Sequence, residues 1–343
     1  MNPVKKQNIS EVKMEYLGLL FGFVLLVVGA DIFVEGSSAL AKSFKIPTII
    51  IGLTVVAFGT SMPEASVSIS AALEGKNDIA ISNVIGSNIF NLLVVLGASA
   101  LICPVRSNES VIKKEIPFSI IVTVILGGLL AFGASLAKGM TGMDAFLNAD
   151  FVLSHIGGII LLVFFAFYMY WQIAGALKAR KNGLIEEEDD NGQKLSLAMS
   201  VEMIILGLVG IIFGGNYVVD NACIIAEKLG MSEQFIGLTI VAVGTSLPEL
   251  VTSVVAARKG ESDIALGNVI GSNIFNIVFI LGASAAIAPM TVDFLSIVDT
   301  VVLLLISILC LIFGSTKRRF SRMEGASMLG IYIVYFIYIL LRQ

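Results

Sequence analysis

Charged residues are scarce in this 343-residue chain, at 14% of the sequence. Soluble domains carry roughly 25%, so the composition argues against a soluble protein. The net charge is −4, and no basic tract predicts a nucleic acid partner. The chain contains no P-loop and no nucleophile next to a paired base, so the sequence does not predict an enzyme.

Cysteine and histidine are also rare. The three cysteines, Cys103, Cys223 and Cys310, form no C-x-x-C pattern and are odd in number, so we expect small buried apolar side chains. His155 is the only histidine, and no acidic partner recurs at the equivalent place to predict a proton relay. No covalent cofactor and no obligatory protein partner is predicted.

Apolar residues dominate instead. They make up 57% of the chain, and the mean hydropathy is +0.94. Apolar stretches of about 20 residues can cross a bilayer, whereas a β-barrel would alternate polar and apolar residues. The first such stretch is too long for a signal peptide and is predicted to be retained. We therefore predict an all-α polytopic membrane protein with ten spans, near 16–40, 47–72, 79–102, 116–137, 153–176, 200–225, 233–257, 264–288, 296–314 and 325–341.

The spans fall into two sets of five. The predicted N-terminal half is 1–176, the loop is 177–199, and the C-terminal half is 200–343. Because five is odd, the second half enters the membrane with inverted topology. One set of connections holds 15 Lys and Arg residues and the other side holds 7. The positive-inside rule then places the 177–199 loop in the cytoplasm and both termini outside a cell membrane.

One segment of the chain occurs twice. Residues 52–97 and 237–282 are identical at 28 of 46 positions, at a constant offset of 185. Both copies contain a Pro-Glu pair and several asparagines within apolar runs. Duplicated polar segments in inverted halves are typical of transporters whose binding site lies at the midplane of the bilayer.

The first half of each copy combines a break in a helix with an acid. Pro63 and Pro248 follow G-T-S and precede Glu64 and Glu249. A proline in mid-span removes a helical hydrogen bond, so we expect carbonyls near 57–59 and 242–244 to lose their partners. Such carbonyls are tolerated in a membrane where they line a polar cavity or meet a cation.

The two glutamates need compensation for their charge. An acid at a helix centre costs about 2.5–3.5 kcal/mol on insertion scales, and no lysine or arginine lies in the middle of any span. The glutamates are therefore protonated, face water, or are neutralised by a dissolved cation. The third alternative uses every neighbouring oxygen, and these hard ligands suit Ca²⁺ or Na⁺.

The second half of each copy supplies amides. In N-V-I-G-S-N-I-F-N, at 83–91 and 268–276, Asn88 and Asn91 are three residues apart and share a helix face. A buried asparagine is often only a contact between helices. Its recurrence beside a break, hydroxyls and a glutamate in both copies favours a binding role.

These motifs resemble the calcium/cation antiporter superfamily and, within it, the sodium/calcium exchangers. The resemblance implies exchange of several Na⁺ ions for one Ca²⁺ by alternating access. It implies that Glu64 and Glu249 bind calcium with the flanking amides of Asn91 and Asn276. Where some relatives have an aspartate, this chain has Asn276. The sodium ligands implied by the resemblance are Thr60, Ser61, Ser87, Thr245, Ser246 and Ser272, with the carbonyls of Ala57 and Ala242.

Three alternatives remain open. The same glutamates serve a H⁺/Ca²⁺ exchanger or a K⁺-dependent Na⁺/Ca²⁺ exchanger equally well, since a buried glutamate can bind a proton. A cation channel is the alternative from another class, but channels usually form their pores from several subunits. The internal repeat of this chain favours a carrier.

Other polar and small residues carry weaker predictions. Asp31, Glu35 and Asp220 are assigned to an ion path or to structure rather than to direct coordination. The acidic run 186–190 is taken as a solvated linker. Spans 1 and 6 are rich in glycine, which predicts either tight packing or a face that slides over the other helices. These glycines are Gly18, Gly22, Gly29, Gly207, Gly210, Gly214 and Gly215.

Overall fold

The computed structural model describes residues 9–138, 150–182, 195–231, 240 and 242–342. The acidic run 186–190 lies outside these residues, as does most of 233–241, where the seventh predicted span begins. The helices are α1 (Ile9–Phe44), α2 (Thr48–Thr60), α3 (Met62–Leu73), α4 (Asn77–Ile102), α5 (Ile116–Lys138), α6 (His155–Lys181), α7 (Leu197–Lys228), α8 (Ala242–Gly244), α9 (Leu247–Arg258), α10 (Ser262–Ile287), α11 (Phe294–Lys317) and α12 (Arg322–Leu341).

The described helices include eight that are long and apolar enough to cross a membrane. The pair α2 and α3, bent by 50° between its two parts, gives a ninth candidate span when the two parts are counted as one. These helices overlap nine of the ten predicted spans. The prediction of an all-α, multi-span membrane protein is therefore confirmed.

Two helices form the centre of the molecule. In α10, 94% of the most apolar stretch is buried, and in α4 the figure is 72%. The corresponding share in α12 is 17%, so most of α12 lies at the surface of the molecule. α4 and α10 carry the repeated asparagine motifs, and their central place puts those amides in the interior.

Within the described residues, four short strands connect the two halves. Strand β1 (Val105–Arg106) follows α4 and pairs antiparallel with β4 (Arg319–Phe320), which precedes α12. Strand β3 (Met290–Val292) follows α10 and pairs antiparallel with β2 (Phe151–Leu153), which precedes α6. Each ribbon therefore joins the third helix of one half to the last helix of the other.

The last helix of each half packs against the other half. A Cβ atom built on Gly325 of α12 would lie 2.5 Å from the Gly97 carbonyl oxygen of α4. One built on Gly158 of α6 would lie 2.4 Å from the Ala286 nitrogen of α10. Only glycine permits such approach of two backbones, so the two halves are interlocked.

Helices α1 and α7 pack against each other through their glycines. A Cβ atom on Gly29 would lie 2.7 Å from the Ile211 nitrogen, and one on Gly214 would lie 2.5 Å from the Leu26 nitrogen. These glycines therefore join α1 to α7. Tight packing between α1 and α7 is observed, and the alternative, that the glycines let these helices slide over the others, stays a prediction.

Candidate functional site

Each repeat breaks its helix at a serine. Ser61, between α2 and α3, has φ −84° and ψ 7°, and Ser246, before α9, has φ −93° and ψ 6°. Pro63 and Pro248 then occupy the first turn of the new helix, where the missing N–H has no helical partner to lose. The break predicted from the prolines is present, two residues before each of them.

One expected consequence of the break does not occur at Ala57. Its carbonyl oxygen accepts the Ser61 N–H at 3.1 Å and the Ser272 hydroxyl at 3.5 Å. The helix continues to Thr60, so the prediction that this carbonyl loses its partner is wrong. Ala242 begins α8.

Small residues bring α2 and α10 together. A Cβ atom on Gly267 would lie 2.9 Å from the Gly52 Cα atom, and one on Gly271 would lie 2.8 Å from the Ala57 Cβ atom. Residues 52–56 form a π-helical turn, and such turns are frequent at functional sites. The close contact places the broken end of α2 against the polar residues of α10.

The two glutamates are fully buried and connected crosswise. Glu64 and Glu249 both have 0% exposure. Ser246 of the second repeat donates to Glu64 Oε1 at 2.9 Å, and Ser61 of the first donates to Glu249 Oε1 at 2.9 Å. The serine of each repeat thus holds the acid of the other, which places both carboxylates in one central cluster.

Each carboxylate keeps one oxygen without a partner. Glu64 Oε2 and Glu249 Oε2 are buried and accept no hydrogen bond from the described residues. No lysine, arginine or histidine among the described residues forms an ion pair with Glu64 or Glu249. A buried uncompensated charge is costly, so this arrangement suits a bound cation.

The cluster contains only two acids. Among the described residues, no group of three or more His, Cys, Asp or Glu side chains could hold a metal ion. The remaining candidate ligands are neutral oxygens. Ser272 donates to Glu249 Oε1 at 3.5 Å, the Ser87 hydroxyl is buried without a partner, and Thr245 lies in the turn before α9.

Two asparagines outside the predicted ligand set support this cluster. Asn268 accepts from Thr60 Oγ1 at 2.9 Å and donates to Ser253 Oγ at 2.9 Å and the Glu249 carbonyl at 3.4 Å. At the offset of 185, Asn83 donates to Ser68 Oγ at 2.9 Å and the Glu64 carbonyl at 3.5 Å. These two supporting asparagines were not predicted from the sequence, although their recurrence at the same offset could have revealed them.

Four more asparagines meet between α4 and α10. Asn88 Nδ2 donates to the Asn273 carbonyl, and Asn273 Nδ2 donates to the Asn88 carbonyl, both at 3.1 Å. Asn276 Nδ2 donates to Asn88 Oδ1 at 3.0 Å. Asn91 is fully buried, and neither its Nδ2 nor its Oδ1 has a partner among the described residues. Asn91 and Asn276 each begin a π-helical turn.

The acids on α1 lie in a different set of contacts. Lys259, in the connection between α9 and α10, pairs with Asp31 at 2.8 Å and Glu35 at 3.4 Å. Ser38 Oγ donates to Glu261 Oε1 at 2.6 Å in the same connection. These bonds hold α1 over the end of α9. Asp220 on α7 is exposed.

Comparison with known proteins identifies relatives of this chain. The model of the family "Sodium/calcium exchanger protein" matches residues 14–174 and 199–341. Sodium/calcium exchanger MaX1 of Methanosarcina acetivorans is 34% identical over 348 residues, covering 95% of this chain and 98% of MaX1. Inner membrane protein YrbG of Escherichia coli is 37% identical over 328 residues, covering 92% of this chain and 94% of YrbG.

A solved structure has the same fold. The sodium-calcium exchanger NCX_Mj, soaked with 2.5 mM Na⁺ and 0.1 mM Ca²⁺, is 32% identical and superposes with a TM-score of 0.76. The match covers 94% of this chain and 97% of NCX_Mj. Two family segments, relatives of similar length and a shared fold give one conclusion: the chain belongs to the sodium/calcium exchanger protein family and is a multi-span cation transporter rather than an enzyme.

Proposed function

We propose that this protein is a secondary active antiporter that exchanges Na⁺ for Ca²⁺ by alternating access at a midplane site. The observation that carries the proposal is the pair Glu64 and Glu249. Both are fully buried, each retains an unpartnered oxygen, and they share crossed serine contacts. Two negative charges in one central cluster match the charge of one Ca²⁺ or of two Na⁺ ions.

The donor atoms support hard cations. Carboxylate, amide, hydroxyl and carbonyl oxygens surround the cluster, and Ca²⁺ prefers six to eight such ligands. We assign calcium to Glu64 and Glu249 with the flanking amides Asn91 and Asn276. We assign sodium to the neutral oxygens of Thr60, Ser61, Ser87, Thr245, Ser246 and Ser272, with the carbonyls of Ala57 and Ala242. The names of MaX1 and NCX_Mj, both sodium/calcium exchangers, favour this pair of ions.

An asymmetry between the repeats supports a carrier over a channel. Val67 on α3 is 38% exposed, whereas Thr252, its equivalent on α9, has 0% exposure. Lys259 and its partners hold α1 over the α9 side. Two similar halves in unequal surroundings are what alternating access requires, since each side opens while the other is covered.

We also propose an orientation. The 177–199 loop lies in the cytoplasm and both termini lie outside, as the count of basic residues favours. The name of YrbG, an inner membrane protein, supports a cell-membrane location. The test is a reporter enzyme that is active only in the cytoplasm, fused after residue 343. Activity of this fusion would place the C-terminus inside the cell and contradict the orientation.

Flux measurements in proteoliposomes test the exchanged ions. Vesicles loaded with Na⁺ should take up ⁴⁵Ca²⁺ when diluted into Na⁺-free buffer, and a pH gradient or a K⁺ gradient alone should drive no uptake. Uptake driven by the pH gradient without Na⁺ would instead establish H⁺/Ca²⁺ exchange. A strict need for K⁺ together with Na⁺ would establish the K⁺-dependent alternative.

A further inference from the structure

The asparagines between α4 and α10 differ in their hydrogen bonds, although the sequence repeats them. Asn88 and Asn273 donate to each other's backbone carbonyls at 3.1 Å. Both are 0–1% exposed. Asn276 Nδ2 has a partner, Asn88 Oδ1 at 3.0 Å, whereas Asn91 Nδ2, at the equivalent place, has none among the described residues.

Chemistry fixes the direction of these amides. A backbone carbonyl can only accept, so the group that Asn88 turns toward the Asn273 carbonyl must be its NH₂. The other end of Asn88 is then Oδ1, which accepts only. The group of Asn276 that meets it must be NH₂, and Asn276 Oδ1 is left pointing elsewhere, buried and without a partner in the described chain.

This direction matters for binding a cation. An asparagine coordinates a cation through its oxygen, and its NH₂ must then be satisfied elsewhere, since an unpaired buried donor costs about 1–3 kcal/mol. Asn88 supplies that acceptor for Asn276. The same bond in the other half would join Asn91 Nδ2 to Asn273 Oδ1, and both of those atoms are buried without a partner in the described chain.

We propose that Asn88 and Asn273 are positioning residues that aim the amide oxygens of Asn276 and Asn91 at the bound cation. In this arrangement the Asn276 amide is aimed and the Asn91 amide is not. The inference rests on the proposed function, because it assigns a cation to the cluster. It adds two residues, Asn88 and Asn273, that orient the amide ligands and do not touch the ion. It also makes the two half-sites unequal, because the amide of only one of them is oriented.

A double-mutant cycle tests the proposal. Calcium affinity is measured by isothermal titration calorimetry on the purified full-length protein, for wild type, Asn88→Ala, Asn276→Ala and the double variant. Loss of a residue that orients a metal ligand typically costs about 10–100-fold in affinity. Because Asn88 acts through Asn276, Asn88→Ala should raise the Kd by about tenfold, at the lower end of that range and no more than Asn276→Ala. The double variant should be no weaker than Asn276→Ala.

Repeating the Asn88→Ala substitution in an Asn276→Asp protein distinguishes an effect on the orientation of residue 276 from a general loss of packing. Asp at 276 needs no donor partner, because both of its oxygens can face the cation. Asn88→Ala should therefore change the calcium Kd less than about threefold in an Asn276→Asp protein, a shift of under about 0.7 kcal/mol. Ser99→Ala, which removes another fully buried polar side chain of α4, should leave the Kd unchanged and control for loss of packing.

Asn88→Asp keeps the measurement available if Asn88→Ala does not fold. It retains an oxygen for Asn276, loses the NH₂ that donates to the Asn273 carbonyl and adds a negative charge near the cluster, so calcium affinity should equal or exceed that of wild type. The proposal is overturned by additive costs in the cycle, by an Asn88→Ala effect that persists in the Asn276→Asp background, or by a weakened Asn88→Asp.

The cycle is also run with Na⁺ and with K⁺ as the titrant. Calcium binding with additive costs would overturn the inference and leave the proposed function standing. No wild-type affinity for Ca²⁺, with a non-additive cycle for another cation, would overturn the proposed function and support the inference. The two failures are therefore distinguishable.

Discussion

Replacing Glu249 by glutamine should abolish calcium transport and leave the fold intact. The amide has the same shape, and its oxygen can still accept the Ser61 hydroxyl that now lies 2.9 Å from Glu249 Oε1. The loss is electrostatic, because one of only two carboxylates in the cluster becomes neutral. The same reasoning applies to Glu64→Gln, whose partner is Ser246.

The magnitude follows from charge and distance. Two unit charges about 4 Å apart gain about 4 kcal/mol at an effective dielectric of about 20, and a divalent ion gains about twice that. The glutamine variant avoids the desolvation penalty of the buried carboxylate, which offsets several kcal/mol of this lost attraction. A net loss of about 3–4 kcal/mol corresponds to a Kd roughly 100–1,000-fold higher.

The assay is sodium-driven ⁴⁵Ca²⁺ uptake, with calcium titration of the same purified samples. Glu74→Gln is the matched control, because it makes the same substitution of an amide for an acid at an exposed position. Among the described residues, Glu74 pairs only with Lys76. This control should transport at the wild-type rate. Uptake within threefold of wild type in both Glu64→Gln and Glu249→Gln would refute the electrostatic reasoning.

Three further predictions concern the surroundings of the site. Asn276→Ala should raise the calcium Kd about tenfold and Asn91→Ala by a smaller factor, both less than either glutamate variant, since a neutral ligand is lost; a loss of affinity in either asparagine variant as large as that in Glu249→Gln would contradict this. Lys259→Ala removes two partly exposed ion pairs that together are worth about 0.5–1 kcal/mol, so a thiol reagent should label a Thr252→Cys protein about twofold to fivefold faster, and unchanged labelling would count against the pairing of α1 with α9. Gly29→Leu forces a side chain into the Ile211 backbone and should lower the melting temperature of the purified protein by several degrees, since overpacking costs about 1–3 kcal/mol; an unchanged melting temperature would show that the helices can separate freely.

Much of the site was visible in the sequence because the chain repeats it. The offset of 185 singled out Glu64, Glu249 and the asparagine motifs. The scarcity of charge in the spans predicted that no lysine or arginine would compensate the glutamates. These two predictions need only residue types and their spacing, and the duplication shows the same residues and spacing in both halves of the chain.

The direction of the amide contacts could not be predicted. Helical spacing places Asn88 and Asn91 on one face of α4, but which of them reaches α10 depends on how closely the two helices pack. That distance is set by backbone contacts such as Gly52 with Gly267. The π-helical turn that begins at Asn91 likewise leaves no periodic signal.

The interlocking of the halves was also hidden. The final helices α6 and α12 show no similarity in sequence, so the repeat gave no reason to place each of them against the opposite half. The glycines of α1 and α7 predicted a smooth helix face on each, but they did not show which helix packs against it. Periodicity identifies the buried side of a helix, and only tertiary contacts identify what covers it.

A dissolved cation that neutralises Glu64 and Glu249 together should be visible by anomalous diffraction from crystals of the protein soaked in Ca²⁺. We expect one strong peak within coordination distance of both carboxylates, and no such peak in the Glu249→Gln protein. If saturating Ca²⁺ gives no peak at the cluster, or a peak that touches neither glutamate, the two acids do not share a bound cation.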